Sequence, residues 1–355
     1  MKKYGSSKFI KLLSLLCAAV LTVSLSGCGK KKPNEYSSFA MGSIVTAKLY
    51  GDKTGSDALW NNMISEISSL DSRISATLPS SDISRLSQNG SATADAVTRD
   101  VLKQAVSVCK ICKGTLDITM GAVTELWGFA GDEPRLPADE EIKAALRTKG
   151  IDNVIINDAA GTVDIANGQK LDLGAVGKGA ACDTAYSVLR SQTGSAVVTV
   201  GGSVLMFGQA PDGKAWTAGI RDPFKTANDY FAVLSFSDTT PDRPVFLSTS
   251  GSYEKTFEEN GKTYHHILDP ETGYPVENGL VSVTVKAGSG LNADALSTAC
   301  FVNGLNADTL GRLKSFGAEA VFVFEDGRVF VTDGLRDNIE LTDGGFSVMD
   351  DYAAE

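Results

Sequence analysis

Val45, Ala47 and Leu49 alternate with Ile44, Thr46 and Lys48 along Ser43–Tyr50, a period of two that predicts a strand. From Asp57 to Ile74 the apolar residues fall instead at Leu59, Met63, Ile67 and Leu70, the spacing of an amphipathic helix. Two more helices are expected over Thr98–Lys113 and Pro137–Lys149; the second opens on proline and acids and stops at Gly150. Val154–Ile156 and Thr162–Ile165 flank Ala159-Ala160-Gly161 as a hairpin, with Leu171–Leu173 extended beyond it. Gly179–Arg190 predicts a helix, and Ala196–Val200 a strand ending at Gly201-Gly202. Later strands are expected over Trp216–Ile220, Tyr230–Phe236, Thr263–Leu268 and Val281–Val285, and helices over Asn292–Val302 and Ala307–Phe316. Ala320–Phe324 and Val329–Val331 then pair around Asp326-Gly327. Strands outnumber helices and several neighbours read as antiparallel. The expected class is α+β: mixed, largely antiparallel sheets with packed helices in a single compact catalytic unit.

The first segment departs from this pattern. Lys2, Lys3, Lys8 and Lys11 precede an apolar run from Leu12 to Leu25 and then Leu25-Ser26-Gly27-Cys28, the layout of a secretory signal and too short for a transmembrane anchor. Small residues before a cysteine are what a bacterial lipoprotein signal requires: a narrow cleavage site, then a thiol that takes a diacylglycerol. A plain signal peptide is the alternative. The expected organisation is a signal over 1–27, lipidation at Cys28, a basic tether over 28–37, a catalytic domain over 38–345 and a tail over 346–355. The 355 residues carry 33 basic and 43 acidic side chains, a formal charge of −10, and loss of four lysines and no acids with the signal makes it −14. Such an acidic body lacks the clustered cations that non-specific nucleic-acid binding requires. Cys109, Cys112, Cys182 and Cys300 remain in a compartment that permits disulfides. Cys109 and Cys112 form a C-x-x-C inside a helical stretch with no strand before it, so packed helix thiols or an incidental disulfide are expected rather than a redox site.

Four stretches carry candidate chemistry. Leu171-Asp172-Leu173-Gly174-Ala175-Val176-Gly177-Lys178-Gly179 reads as an extended segment, a glycine-rich turn and a helix start, which suits either a phosphate or a purely structural turn. Ser248-Thr249-Ser250-Gly251-Ser252-Tyr253 precedes the only two histidines, His265 and His266, which stand before Asp269-Pro270. Neighbours in a strand face opposite sides, so the pair cannot share a metal. Asp294, Ser297 and Thr298 lie at i, i+3 and i+4 on one helix face, an all-oxygen set suited to Mg²⁺ or, alternatively, residues capping a first turn. Gly114-Thr115-Leu116-Asp117-Ile118-Thr119 ends a helix on an acid that could meet a ligand edge or solvent.

Taken in order, the motifs Phe39-Ala40-Met41-Gly42-Ser43, Ser81-Asp82-Ile83-Ser84-Arg85-Leu86, Asp117-Ile118-Thr119 with Leu126-Trp127-Gly128-Phe129, Leu171–Gly179, Val200-Gly201-Gly202, Ser248–Tyr253, His266-Ile267-Leu268-Asp269-Pro270 and Asp294-Ala295-Leu296-Ser297-Thr298 make the chain resemble the FAD:protein FMN transferase (ApbE) family over about residues 38 to 340. The resemblance implies an ApbE-like fold and a Mg²⁺-dependent enzyme on the extracytoplasmic face of the cell membrane. Its substrates would be FAD and an extracytoplasmic flavoprotein acceptor, with FMN passing through its phosphate to a threonine or serine and AMP leaving. An FAD pyrophosphatase or a non-catalytic FAD-binding lipoprotein is the alternative. By position, Asp294, Ser297, Thr298 and the carbonyl of Ala175 match the metal shell. Met41, Thr115, Leu116, Asp117, Asp172, Lys178 and Leu268 fall where the family contacts FAD, and His266 matches the histidine that helps deprotonate the acceptor hydroxyl. The ordinary imidazole pKa, near neutrality, suits that role. Where relatives often carry Ser-Thr-Tyr, this chain has Ser75-Ala76-Thr77, so it lacks that aromatic ring for stacking on flavin.

Overall fold

The computed structural model describes residues 32–351 apart from Asp132, Asp212 and Ala227; the expected signal and Cys28 lie outside the described residues. Strands β1 (Asn34–Ala40) and β2 (Ser43–Leu49) form a hairpin, followed by helices α1 (Lys53–Ile74) and α2 (Asp82–Asn89), strand β3 (Ser91–Thr93), and helices α3 (Ala96–Cys112), α4 (Gly121–Trp127) and α5 (Asp139–Leu146). Short strands β4 (Ile155–Asn157) and β5 (Thr162–Asp164) precede helix α6 (Gly177–Leu189). Then come β6 (Ala196–Val200), β7 (Ser203–Phe207), β8 (Trp216–Arg221), β9 (Tyr230–Phe236), β10 (Val245–Gly251), β11 (Thr256–Glu259), β12 (Lys262–His265) and β13 (Leu280–Ala287). Helices α7 (Gly290–Asn303) and α8 (Ala307–Ser315), strands β14 (Glu319–Phe324) and β15 (Arg328–Val331), helix α9 (Asp333–Arg336) and strands β16 (Ile339–Leu341) and β17 (Ser347–Val348) complete the chain.

The protein is α+β, as its apolar periodicity predicts. A nine-stranded sheet runs β1-β2-β6-β7-β10-β13-β14-β15-β17, antiparallel except for the parallel β15–β17 pair. One face packs the main core, into which α1, α3, α6 and α7 send Ile67, Val108, Ala181 and Leu296. The opposite face buries Val197, Met206, Leu247 and Val323 under a three-stranded sheet, β16-β9-β8. Strand β6 is therefore buried at all five positions, which explains its unbroken apolar run. A third, aromatic cluster centres on Trp127, with Phe129, Phe257, Tyr264 and Tyr274 around it, and joins the β11–β12 hairpin to α4 and α5.

Both ends of the folded body extend past the boundaries the sequence suggests. Asn34–Ala40 is a strand rather than the end of a tether, because alternate residues Tyr36 and Ala40 turn toward the core. Tyr36 stacks on Trp60 at 5.2 Å and donates its hydroxyl to Asp57 Oδ1 at 2.6 Å. At the other end Phe346 stacks on Phe231 at 4.1 Å and Ser347–Val348 adds the last strand, so the tail starts inside the fold. Leu171–Leu173, expected to be extended, joins no ladder; the Asp172 N–H donates to the Ile118 carbonyl at 2.8 Å, and an isolated bridge links Met120 with Lys170. Among the described residues no helix is long and apolar enough to cross a membrane.

Candidate active site

Helices α6 and α7 cross through two glycines. A Cβ on Gly179 would sit 2.1 Å from the Gly290 carbonyl oxygen, and one on Gly290 would sit 2.2 Å from the Gly179 carbonyl oxygen. Only hydrogen at both positions lets the backbones approach this closely. The contact allows each helix to satisfy the other's N-terminus, where the first N–H groups have no partner in their own helix. Asp183 of α6 accepts from the Gly290 and Leu291 N–H groups at 2.7 and 2.8 Å; burial raises its pKa, and these two bonds oppose the shift. Asp294 of α7 accepts from the Gly179 N–H at 2.9 Å, in place of an i→i−4 bond to the Ala175 carbonyl. Asp294 is therefore not a cap for its own helix, where Ser289 accepts from the Asn292 N–H at 3.2 Å.

The other Asp294 oxygen faces the sheet. Ser248 donates to Asp294 Oδ1 at 2.8 Å, Ser203 lies 3.5 Å from the same oxygen, and the two serine hydroxyls are 2.9 Å apart. One turn along α7, Ser297 and Thr298 lie 2.8 and 3.1 Å from Ser250 Oγ. Ser248 and Ser250 share the helix-facing side of β10 by the period-two alternation, and Phe246 on that side belongs to the main core. Asp294, Ser248 and Ser297 are all buried. Lys178 Nζ stands 3.8 Å from Asp294 Oδ1 and 3.4 Å from the Gly174 carbonyl oxygen.

Hard oxygens from one carboxylate and several hydroxyls, with the Ala175 carbonyl in the turn before α6, suit a small divalent cation that draws its remaining ligands from water and substrate phosphates. Among the described residues no group of three or more His, Cys, Asp or Glu could hold a metal. A cation here would thus keep much of its charge for a substrate anion.

Of the remaining residues singled out in the sequence, Met41 and Asp172 touch the glycine turn before α6, and the others make contacts of their own. Met41, in the β1–β2 turn at φ 56°, donates its N–H to Asp71 Oδ2 at 2.8 Å, and its Cε lies 3.2 Å from where a Gly177 Cβ would stand. Asp172 accepts from the Gly174 N–H at 2.8 Å and the Thr124 hydroxyl at 2.7 Å, so it shapes the glycine turn. Asp117 accepts from the Thr119 N–H and hydroxyl at 2.8 and 2.6 Å. The Thr115 hydroxyl donates to the Cys112 carbonyl at 2.9 Å and accepts from Arg312 at 2.8 Å, while Leu116 is buried in the main core. Those two side chains are committed elsewhere, leaving their backbone to meet a ligand. Leu268 packs in the aromatic cluster.

The histidines do face apart. His265 donates from Nε2 to the Val276 carbonyl at 2.9 Å and sets its ring against Phe301. His266 Nδ1 lies 2.9 Å from the Glu254 carbonyl and its ring meets Phe129 edge-on at 6.4 Å. A carbonyl only accepts, so Nδ1 carries the proton and the Nε2 lone pair is left to accept another. Desolvation, reinforced by the charges of Lys255 and Lys178, pushes the His266 pKa from 6.5 down to about 3. The near-neutral value expected from sequence is thus displaced, and the imidazole is uncharged at neutral pH. The four cysteines are free and buried, with burial pushing Cys109 up to about 12 and Cys112 to about 11, so neither thiol is activated. Ser203 and Asp183 carry no signal in the sequence, and Ser248 and Ser250 show no partner there, because their contacts come from elements far away in the chain.

The model of the ApbE family matches residues 41–322. The chain is 29% identical to the FAD:protein FMN transferase of Treponema pallidum (strain Nichols), over 94% of this chain and 96% of that one. It is 31% identical to the FAD:protein FMN transferase of Vibrio cholerae (serotype O1, strain Classical Ogawa 395), over 81% of this chain and 87% of the relative. Its fold matches the crystal structure of the ApbE protein from Thermotoga maritima with a TM-score of 0.79 at 30% identity, covering 86% of this chain and 99% of that one. The apo form of the Pseudomonas stutzeri flavinyl transferase ApbE gives a TM-score of 0.74 at 26% identity, covering 88% and 98%.

Proposed function

Because this chain belongs to the ApbE family and is an FAD:protein FMN transferase, we propose that it uses Mg²⁺ to move FMN from FAD onto a threonine or serine hydroxyl of an extracytoplasmic flavoprotein, releasing AMP. The observation that carries this reading is the 2.9 Å bond from Gly179 to Asp294, which sets the glycine-rich turn against the carboxylate–hydroxyl face of α7. A phosphate seated at that turn would meet the Lys178 ammonium, a cation that stabilises developing negative charge; the Gly177 and Gly179 N–H groups are already bonded to the Leu173 carbonyl and to Asp294. Asp294, Ser297, Thr298 and the Ala175 carbonyl would hold Mg²⁺, whose charge offsets that of the diphosphate. Met41 and the backbone of Thr115-Leu116-Asp117 would border the flavin nucleotide.

In the reaction the acceptor oxygen bonds to the FMN phosphorus, the bond from that phosphorus to the bridging oxygen breaks, and AMP leaves with the bridging oxygen. The acceptor proton passes to Nε2 of His266, the nitrogen left unprotonated by the Glu254 contact. A base held near pKa 3 is weak in the free enzyme. The diphosphate's negative charge offsets the part of this depression that the lysine charges add to burial, and so raises the basicity of His266 once substrate is bound. We further propose that residues 1–27 are a lipoprotein signal and that Cys28 carries the lipid, placing the enzyme on the outer face of the cell membrane.

Incubating protein, FAD, Mg²⁺ and a candidate acceptor should give a covalent FMN mass increase that disappears when the acceptor threonine is changed to valine. Asp294→Ala should lower the rate by at least ~100-fold. AMP release at a rate indifferent to the acceptor, with no adduct, would establish the pyrophosphatase instead.

A further inference from the structure

We propose that Arg221 is a positioning residue for His266: from the three-stranded sheet it clamps the Tyr253 ring, and through the Glu254 carbonyl that clamp fixes which imidazole nitrogen carries the proton. This role deepens the flavin-transfer reading and rests on its use of His266 as the base. Arg221 ends β8, and the ladder with β9 loses its regular register between Ile220 and Arg221. Irregularities of this kind re-aim a side chain out of the strand's alternation. The guanidinium carbon lies 4.5 Å from the centroid of the Tyr253 ring. Arg221 Nε is buried without a hydrogen-bond partner among the described residues, and the negative face of the ring holds a cation so placed.

The clamped ring is folded back on its own chain. A Cβ on Gly251 would stand 2.6 Å from Tyr253 Cζ and push the ring off this seat. The next residue is Glu254, whose carbonyl accepts from His266 Nδ1 at 2.9 Å. Two further contacts bracket the segment: the Ser252 N–H donates to the Val281 carbonyl at 3.0 Å, and Thr256 pairs with His265 across the β11–β12 hairpin. Between those anchors the chain passes Lys255 at φ 44°, a left-handed conformation that disfavours a residue with a Cβ. Strained backbone keeps its course only where its surroundings over-determine it. Once the Tyr253 ring is released, relaxation at Lys255 rotates the peptide that carries the Glu254 oxygen and turns that acceptor from the imidazole. Nδ1 then loses its reason to hold the proton, and the ring populates the tautomer protonated on Nε2, which cannot accept one from a hydroxyl. His265 is held separately, by the Val276 carbonyl at 2.9 Å, and serves as an internal reference.

The test is ¹⁵N NMR of the histidine-labelled chain, alongside FMN transfer to an acceptor and a thermal melt. The chain has two histidines, so His265→Gln assigns both sets of ring signals. Wild-type His266 should be protonated on Nδ1 alone. Arg221→Met, which loses the cation, and Tyr253→Leu, which loses the ring, should each bring in the tautomer protonated on Nε2 and leave His265 unchanged. Each should lower kcat about 10-fold with the KM for FAD within about twofold. Arg221→Lys keeps a cation over the ring and should keep the wild-type tautomer and most of the rate. Two variants that break the clamp from opposite sides keep the link testable if one of them folds poorly. A wild-type His266 tautomer in a folded Arg221→Met or Tyr253→Leu chain would overturn the role of Arg221, whatever happens to the rate, and leave flavin transfer standing. A wild-type chain that forms no FMN adduct would overturn the flavin-transfer reading instead, whichever tautomer the spectra show.

Discussion

His266 has a tautomer set by one carbonyl and a charge state set by its surroundings. Its folded pKa of about 3 lies below the ordinary 6.5, so the native state refuses a proton that the unfolded chain accepts. Between those values the unfolded state binds more protons, and stability falls as pH drops from 6.5 toward 3. His265, also lowered by burial, adds in the same sense. In urea titrations the wild type should therefore lose more stability between about pH 7 and about pH 5 than His266→Gln does. Equal losses would mean that the imidazole titrates normally. His266 was singled out as a candidate in the sequence through the run His266-Ile267-Leu268-Asp269-Pro270. Its pKa was not legible there, because the burial that chiefly depresses it, and the charges of Lys255 and Lys178 that add to it, arise only when distant elements pack together.

At the scale of elements, the junction of α6 and α7 decides the site. Each helix supplies a carboxylate to the other's start, and the two glycines at the crossing bring those ends into reach. Gly179→Ala would drive a methyl group into the Gly290 carbonyl, a backbone atom that cannot rotate away. It should cost about 2 kcal/mol in denaturant titrations and weaken the proposed Mg²⁺ binding by displacing Asp294. A variant with wild-type stability and metal affinity would show that the crossing is not needed. The periodic helices, such as Lys53–Ile74, are close to the spans predicted from apolar spacing. Strand β10 was harder to see, because its apolar start runs into Ser248-Thr249-Ser250, hydroxyls that look like a loop until α7 covers them.

Across the whole molecule, the nine-stranded sheet is a platform with apolar cores on both faces, and the site sits where the helical layer meets β7 and β10. The described body begins at residue 32, two residues before strand β1, and the proposed anchor is chemically separate from catalysis. Cys28→Ser should therefore move the protein from the membrane to the soluble fraction while its transfer rate on a soluble acceptor stays within about twofold. Retention on membranes after that change would remove the lipid from the account. By itself the sequence determined the α+β class, most long elements and the set of polar motifs, since apolar periodicity and short-range spacing are properties of neighbouring residues. Tertiary structure decided that Asp294 caps a foreign helix, that Ser203 and Ser248 share its carboxylate, and that burial holds the His266 imidazole uncharged. The hydrogen-bonded pairs among these lie from 46 to 115 positions apart. Only the folded backbone brings them within the few ångströms over which hydrogen bonds form and charges interact strongly.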